Sequence, residues 1–376
     1  FCSLRVKMLL LLLLVPLVIV LGGFLFSIYR KDRRYIISLR EFLVMVGVIV
    51  VVITIGYFAS RMASTLDIEV WNGRISKKER EWTSCEHSYS CNCRQECSES
   101  GKNRSCTTVC DTCYEHFNDW NWVLYTTNNE KIFIARVDRQ GATEPFRFTY
   151  AKIGEPTALT HSYTNYIKGS PWSILKRQGL IERFKGLIPS YPQNIYDYHY
   201  LNRFLTFGPI PSNEVRLWNR NLMELNADLG KKKQINIIFV IVPTEDSSYL
   251  HALEEAWIGG KKNDLVIIIG ATDFPKIDWA KIMSWTKVEE LKISLQDSLE
   301  NIGSLQAREE IIKTVREEVE HRFVRTPMKE FEYLLAGIQP PRWALIILFI
   351  VGIGLSVGLN IYFYKEDPFD TRKNIW

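Results

Sequence analysis

Seven cysteines fall between positions 85 and 113, and their type and density predict chemistry more clearly than any other residues in the chain. Outside the cytoplasm such thiols oxidise to disulfides. A loop-rich segment with little hydrophobic core gains most from these cross-links, each of which stabilises by roughly 2–4 kcal/mol. Disulfides are therefore the favoured interpretation of the cluster, whose members are Cys85, Cys91, Cys93, Cys97, Cys106, Cys110 and Cys113.

Zinc is the competing interpretation of the same cluster. Cys110, Cys113 and His116, together with Cys91 and Cys93, supply candidate ligands for one tetrahedral site. The spacing matches no standard zinc finger, and the choice depends on which side of the membrane the segment occupies. Because seven is an odd number, one thiol is left free, paired between chains or bound to metal.

Recognisable catalytic motifs are absent from the sequence. It contains no H-E-x-x-H, Walker A or G-x-G-x-x-G pattern. The six histidines are scattered through the chain. The residue pattern therefore argues against an enzyme. It identifies no catalytic residues.

Three uncharged stretches are long enough to cross a membrane, and they set the frame for the rest of the chain. We predict transmembrane helices over residues 8–28, 42–60 and 343–364. The first stretch has a cleaved signal peptide as its alternative interpretation, although it lacks a small-residue cleavage site. Lipid is therefore one predicted partner, and close helix contact at Gly354 and Gly358 is a signal for a homo-oligomer.

Basic residues predict the orientation of these spans. The short loop over residues 29–41 is rich in Arg and Lys, and such loops stay in the cytoplasm. The large segment that follows the second span is then extracytoplasmic, or periplasmic in a bacterium. The tail over residues 365–376 returns to the cytoplasm.

The exported segment begins with a linker and the Cys-rich region, residues 61–118, in which residues 66–71 are strand-like and are followed by a charged run. It continues with a small β-rich irregular unit, residues 119–210. Within that unit, alternating residues predict strands over 120–126 and 131–137, joined by a polar turn, and a third strand over 146–150.

From residue 211 to 336 the pattern changes to alternating strands and helices. Continuous β-branched runs at 235–242 and 265–269 predict strands buried on both faces, and 276–284 is a third candidate. Helical spacing is seen at 213–229, 247–257, 288–299 and 305–335, with Pro327 expected to end or kink the last helix. The chain is thus predicted to be an α+β membrane protein with three transmembrane helices, a Cys-rich β-containing subdomain and an α/β sandwich.

The segment from about residue 213 to 335 resembles the TPM-domain family of small extracytoplasmic α/β domains. The likeness rests on the strand INIIFVIVP, a helix ending at Trp257, and the turn IGGKKND that leads into LVIII. The family's Asn-Gly after the aspartate and its Gly-rich, arginine-bearing stretch have no clear match here. The resemblance covers about a third of the chain.

The TPM likeness implies an assembly factor or a modulator of membrane complexes, and for some members a metal-dependent phosphatase. Members that bind divalent cations do so through acidic residues, so that the likeness implies Ca²⁺ or Mg²⁺ as cofactor. Asp264 matches the family's aspartate. Asp273 and Glu245, which follow the predicted strands, are added by position alone as candidate ligands.

Composition narrows the class of protein further. The chain has 376 residues, 47% hydrophobic, which excludes a disordered protein. The net charge of +5 sits largely beside the membrane segments and does not predict nucleic-acid binding. The layout is also similar to membrane proteins of tailed phages and prophages, which adds a viral structural protein as an alternative. We predict an anchored interaction or assembly protein with a protein partner outside the cytoplasm.

Overall fold

The computed structural model of the chain describes residues 2–29, 36–100, 103–170, 175, 179–192, 202–366 and 368–369. Within them three helices are long and apolar enough to span a membrane: α1 (Cys2–Tyr29), α2 (Leu39–Ala63) and α10 (Arg342–Lys365). The three predicted spans are therefore confirmed as candidate membrane helices. Four of the five basic residues of the loop, and most of the C-terminal tail, lie outside the described residues, and these segments decide the predicted orientation.

The three apolar helices pack against one another as one bundle. Asn360 of α10 donates a hydrogen bond of 3.3 Å to the carbonyl oxygen of Ile19 in α1. A Cβ atom on Gly352 would lie 2.9 Å from the ring of Pro16, so a glycine permits this close approach. Among the residues that the structure describes, none lies within 4 Å of where a Cβ atom on Gly354 or Gly358 would be.

A long strand follows α2 after two residues. Strand β1 (Leu66–Ser84) pairs with two different antiparallel partners along its length. Its first half pairs with β6 (Pro156–Thr164), and its second half pairs with β4 (Asn118–Thr126), which also pairs with β5 (Lys131–Ile134). The order in this sheet is β5-β4-β1-β6. The strand-like stretch expected at residues 66–71 of the linker is thus the beginning of a much longer strand, which continues through the charged residues that follow it.

One predicted strand in this region is wrong. Residues 146–150 form the short helix α3 (Phe146–Tyr150), which begins after Pro145. The alternation of aromatic and polar residues does not mark a pleated face here, because Phe148 lies under the sheet with its ring 4.8 Å from that of Trp122. The hairpin of β4 and β5 is confirmed.

The cysteines lie in a separate two-stranded hairpin. Strand β2 (Ser88–Ser100) pairs with β3 (Asn103–Tyr114), and the two form a sheet of their own. We call residues 88–114 the disulfide hairpin. It leaves the distal end of β1 and returns into β4.

A second four-stranded sheet has the order β10-β9-β8-β7. Strands β7 (Phe204–Thr206), β8 (Asn236–Val242) and β9 (Asp264–Gly270) are parallel, and β10 (Trp279–Ser284) is antiparallel. The buried strands predicted from the two β-branched runs are confirmed, and the third begins at Trp279. The short helices α4 (Tyr166–Gly169) and α5 (Leu180–Arg183) precede this sheet along the chain.

Alternate residues of β8 enter two different cores, which explains why the strand has no polar face. Ile237, Phe239 and Ile241 pack with apolar residues of α6 (Ser212–Lys233), α8 (Glu289–Ile302) and α9 (Arg308–Arg322). Ile238, Val240 and Val242 pack on the other face against α7 (Tyr249–Ala256) and residues 180–191. The sheet is thus covered on both faces by helices and loops.

The last helix before the membrane is shorter than the continuous apolar pattern predicts. Helix α9 ends at Arg322, and Phe323 is already extended. A 3-10 helix, Met328–Ala336, begins immediately after Pro327. The proline therefore marks the start of a new element rather than the end of α9.

Candidate functional site: the disulfide hairpin and the junction with β1

Six of the seven clustered cysteines are paired in the disulfide hairpin. Each bridge joins β2 to β3: Cys91–Cys113, Cys93–Cys110 and Cys97–Cys106. The remaining member, Cys85, is buried and unpaired just before the hairpin begins. The structure thus identifies the odd thiol that the sequence leaves open.

The zinc site expected from Cys91, Cys93, Cys110 and Cys113 is not supported. These sulfurs are bonded to one another in disulfides, and a metal requires free thiolates. His116, the fifth member of that set, lies beyond the end of β3 and is not in the hairpin ladder.

The surface around the open end of the hairpin is rich in exposed aromatic side chains. Tyr89 is 52% exposed, Tyr114 is 57% exposed, and Phe117 is 90% exposed. We call these three residues the neck aromatics. Exposed aromatic groups of this kind are enriched in the energetically important parts of protein interfaces.

Charges on and beside the hairpin are balanced locally. The guanidinium of Arg94 contacts Glu96 at 3.0 Å and Asp111 at 3.8 Å. Near the neck, Arg139 contacts Glu115 at 2.9 Å. The hairpin therefore does not present a field of one sign that would select a charged ligand.

Asp264, the acid that the TPM likeness singles out, is buried at the start of β9 and only 1% exposed. Its Oδ1 accepts a hydrogen bond of 2.8 Å from Asn236, and its Oδ2 accepts hydrogen bonds of 2.8 Å from the Tyr191 hydroxyl and the Lys261 backbone N–H. Burial raises the pKa of Asp264, and these hydrogen bonds oppose that rise. Both oxygens are thus occupied by donors within the protein.

The other two candidate metal ligands lie at the opposite edge of the sheet. Glu245 and Asp273 follow the C-terminal ends of β8 and β9, whereas Asp264 begins β9. Six residues of strand at ~3.3 Å each separate these edges by about 20 Å. A single ion cannot bind Asp264 together with Glu245 or Asp273.

The turn from Trp257 to Asp264 docks the α/β domain onto β1. Three successive residues, Ile258, Gly259 and Gly260, have positive φ of 53°, 72° and 74°. This left-handed path directs Lys261 at Asp67, with Nζ 2.6 Å from Oδ1, and Lys262 at Glu69, with Nζ 3.4 Å from Oε1. The turn used for the family resemblance is therefore a structural contact in this chain.

Asp67 and Glu69 were not predicted as important residues. They alternate with Ile68 and Val70 along β1, a pattern that predicts one solvated face. The structure buries that face under the turn, and Asp67 is 6% exposed. The alternating acids are a weak signal of this contact. The lysine pair Lys261 and Lys262 would strengthen it, but the pair lies far away in the sequence.

The carboxylate of Asp67 is held in its charged form. Burial alone would raise the pKa of Asp67, but the hydrogen bonds from Lys261 and Asn165 and the charges of Lys261 and Lys168 outweigh burial and lower it. Asn165 donates to Oδ2 at 2.8 Å, and Lys168 lies 3.2 Å from Oδ1. Two cations and one amide thus share this acid.

A cleft of about 520 Å³ opens beside this junction, between the beginning of β1 and the turn. Its charged lining residues are Asp67, Lys168 and Lys261, which are paired with one another. Leu66, Ile68 and Trp257 supply much of its apolar wall. The cleft does not offer an unpaired acid with which to bind a metal ion.

Neither known protein families nor curated sequences nor solved structures match this chain. The likeness to TPM domains therefore stays a prediction. The class that the structure supports is a membrane protein with mixed helices and sheets, three apolar spans and three disulfides.

Proposed function

We propose that this protein is a membrane-anchored interaction protein that displays the disulfide hairpin to a protein partner outside the cytoplasm. The observation that carries the proposal is the continuity of β1, which begins two residues after α2 and ends three residues before the hairpin. Its 19 residues, at ~3.3 Å each, extend up to about 60 Å. The hairpin lies at the end of β1 that is farther from the membrane helix.

The oxidised state of the hairpin supports the proposed compartment. Three disulfides persist in oxidising surroundings and are rare in the cytoplasm. The basic residues between the first two spans favour the same orientation. Both observations favour an outer location for the hairpin and the α/β domain.

Contacts with the α/β domain hold in place the strand β1, which leads to the disulfide hairpin. Asn72 of β1 donates a hydrogen bond of 3.1 Å to the Ile235 carbonyl oxygen, and Asn263 donates one of 2.8 Å to the Val70 carbonyl oxygen. These contacts, with the two lysine–acid pairs, tie the first half of β1 to the domain. A TPM-like domain in this role would act as a scaffold rather than as the binding surface.

The chemistry of the neck indicates the kind of partner. The neck aromatics are exposed, whereas neighbouring charges are paired with one another, so the surface fits a protein with an apolar pocket. The metal-dependent phosphatase is not favoured, because Asp264 is internally hydrogen bonded and lies far from Glu245 and Asp273. No observation favours a viral structural role.

Photo-crosslinking in the native membrane tests the proposal. A photoreactive residue at Phe117 is expected to give a discrete adduct with another protein. The same residue at Tyr150, an exposed aromatic on α3 (60% exposed, against 90% for Phe117), is the control. The adduct at Phe117 should disappear when Tyr89 and Tyr114 are both changed to serine in the crosslinking variant.

Two results would contradict the proposal. One is an absence of any discrete adduct at Phe117 in membranes from the source cells. The other is an adduct whose yield is the same at Tyr150, or is unaffected by the loss of Tyr89 and Tyr114, since that result would show collision rather than recognition.

A further inference from the structure

The unpaired thiol of Cys85 lies in a buried polar cluster that the proposed function does not use. The sulfur, a ring nitrogen of His116 and a carboxylate oxygen of Asp119 all lie within 4.8 Å of one another. Cys85 precedes the disulfide hairpin, His116 follows it, and Asp119 is in β4. The three residues therefore meet where the two ends of the hairpin join the sheet.

Two of these groups have a polar atom that is buried and has no hydrogen-bond partner. The side chain of Asp119 is completely buried, and its Oδ1 accepts no hydrogen bond. Nε2 of His116 is also buried and without a partner, 3.7 Å from that oxygen. Leaving such groups unpaired costs free energy, so an atom that binds both would stabilise the site.

The surroundings of the cluster orient these donors. Oδ2 of Asp119 accepts a hydrogen bond of 3.0 Å from the Glu86 backbone N–H and another of 3.3 Å from Arg136. The other oxygen, Oδ1, is thereby turned toward His116, 3.7 Å from its Nε2. The Cys85 sulfur accepts a hydrogen bond of 3.4 Å from the His87 backbone N–H and lies 3.7 Å from the His87 carbonyl oxygen. Outer hydrogen bonds of this kind are typical of metal sites.

We propose that Cys85, His116 and Asp119 bind one zinc ion, with the fourth position open to water. Sulfur and imidazole ligands select zinc, whereas Ca²⁺ and Mg²⁺ require many more oxygen ligands than one carboxylate supplies. The thiolate and the carboxylate together neutralise the two positive charges of the ion.

The geometry needs only a small closure to bind the ion. Bonds of about 2.0–2.3 Å in a tetrahedral site place ligand atoms roughly 3.3–3.8 Å apart. The separation of 3.7 Å between His116 Nε2 and Asp119 Oδ1 already meets that requirement. Movement of the Cys85 side chain by about 1 Å would complete the set.

Zinc at this position would hold the two ends of the disulfide hairpin together. It would link Cys85, three residues before β2, with His116, two residues after β3, and with Asp119, the second residue of β4. It would also protect the one thiol of the cluster that the disulfides leave unpaired. This site does not depend on the identity of any partner, and the crosslinking experiment above does not test it.

Cobalt titration of the full-length protein in detergent, with its disulfides intact and bound metal removed by a chelator, tests the site. Cobalt is expected to bind at one equivalent per chain with a sulfur-to-cobalt charge-transfer band, and zinc should bleach that band. Cys85→Ser should abolish the band. Asp119→Asn and His116→Ala should weaken binding at least ~100-fold, more than the 10–100-fold loss typical of outer-shell partners.

His251→Ala is the matched control, because His251 also faces an acid three residues later, Glu254, at 3.5 Å but has no cysteine in its group. It should bind cobalt as the wild type does. A readout on the wild type alone is the rate at which a thiol reagent alkylates Cys85, measured on its peptide by mass spectrometry. Zinc should slow that rate at least ~10-fold.

The wild-type readouts remain decisive even if a ligand variant does not fold. Absence of stoichiometric cobalt binding to the wild type would overturn the proposal. So would binding without a sulfur charge-transfer band, a band that persists in Cys85→Ser, or an alkylation rate of Cys85 that zinc does not change.

Discussion

The ammonium group of Lys261 lies 2.6 Å from the Asp67 carboxylate, although the two residues are 194 positions apart in the chain. Asp67 is one residue into β1, just after the membrane helix α2, and Lys261 belongs to the turn before β9. Both side chains are less than 10% exposed. This pair joins the membrane-anchored strand to the α/β domain.

We predict an order of stability losses when this pair is broken. Asp67→Ala leaves Lys261 charged and buried without its partner, and should lower the free energy of unfolding by about 3–5 kcal/mol. Lys261→Met should cost less, because Asp67 keeps Lys168 and Asn165. Denaturant titration of the full-length protein, followed by tryptophan fluorescence, measures both losses.

Lys77→Ala is the control for that series, since its pair with Glu79 is exposed and contributes little. Equal losses for Asp67→Ala and Lys77→Ala would show that the buried pair does not hold the domain to β1.

The pH dependence of stability should carry the signature of Asp67. Its pKa in the folded protein is below the ordinary value of 3.8, so between these two values the unfolded chain binds more protons than the folded chain. The stabilisation is therefore complete above pH 3.8 and is lost as the pH falls through the folded pKa. The stability gap between wild type and Asp67→Asn should shrink as the pH is lowered below about 4.

Thermal midpoints of both proteins, measured from pH 7 down to pH 3, check this sign. A gap that stays constant or widens in acid would contradict the charge assignment of Asp67.

Asp264→Asn should destabilise the protein even though it removes a buried charge. The new amide would have to place its NH₂ group against the NH₂ of Asn236, because the other side accepts hydrogen bonds from Tyr191 and Lys261. One unsatisfied buried donor costs roughly 1–3 kcal/mol. Asp273→Asn, at an exposed position, is the matched control and should change little. Stability of Asp264→Asn equal to that of Asp273→Asn would mean that the Asp264 network is not formed.

Gly230 marks a close approach between α6 and β1. A Cβ atom there would lie 1.9 Å from the Asn72 carbonyl oxygen, which belongs to the backbone and cannot move aside easily. Gly230→Ala should therefore cost about 1–3 kcal/mol, although alanine is the better helix former. Gly354→Ala, also in a helix but with no neighbour within 4 Å, should be neutral or stabilising. Tolerance of both changes would exclude this contact.

A structural element could be predicted where neighbouring residues in the sequence carry its pattern, and not where it depends on distant partners. The apolar run at residues 237–242 and the three spans are recognisable in the sequence, because β8 is buried on both faces and the spans are long stretches of mostly apolar residues. The second half of β1 cannot be recognised in this way, because its charged residues are stabilised by partners on β4 and β5. Lys131, for example, lies 2.6 Å from Glu81.

The candidate site was predictable only in part for the same reason. The density of cysteines predicted the disulfides, but the ladder of β2 and β3 decides which cysteines pair and leaves Cys85 outside. The carboxylate of Asp264 was found by likeness, yet its role depends on Tyr191 and Asn236, which are distant in sequence. Long-range pairing of this kind has no periodic signature.

The redox state of the hairpin in the native membrane tests the central claim most directly. Intact cells are treated with a membrane-impermeant maleimide, with and without an impermeant reductant, and the cysteine peptides are analysed by mass spectrometry. We predict that the six hairpin cysteines are labelled only after reduction. They are Cys91, Cys93, Cys97, Cys106, Cys110 and Cys113. Labelling of these six without reductant, or no labelling in either condition until the membrane is opened, would contradict an oxidised hairpin displayed outside the cytoplasm.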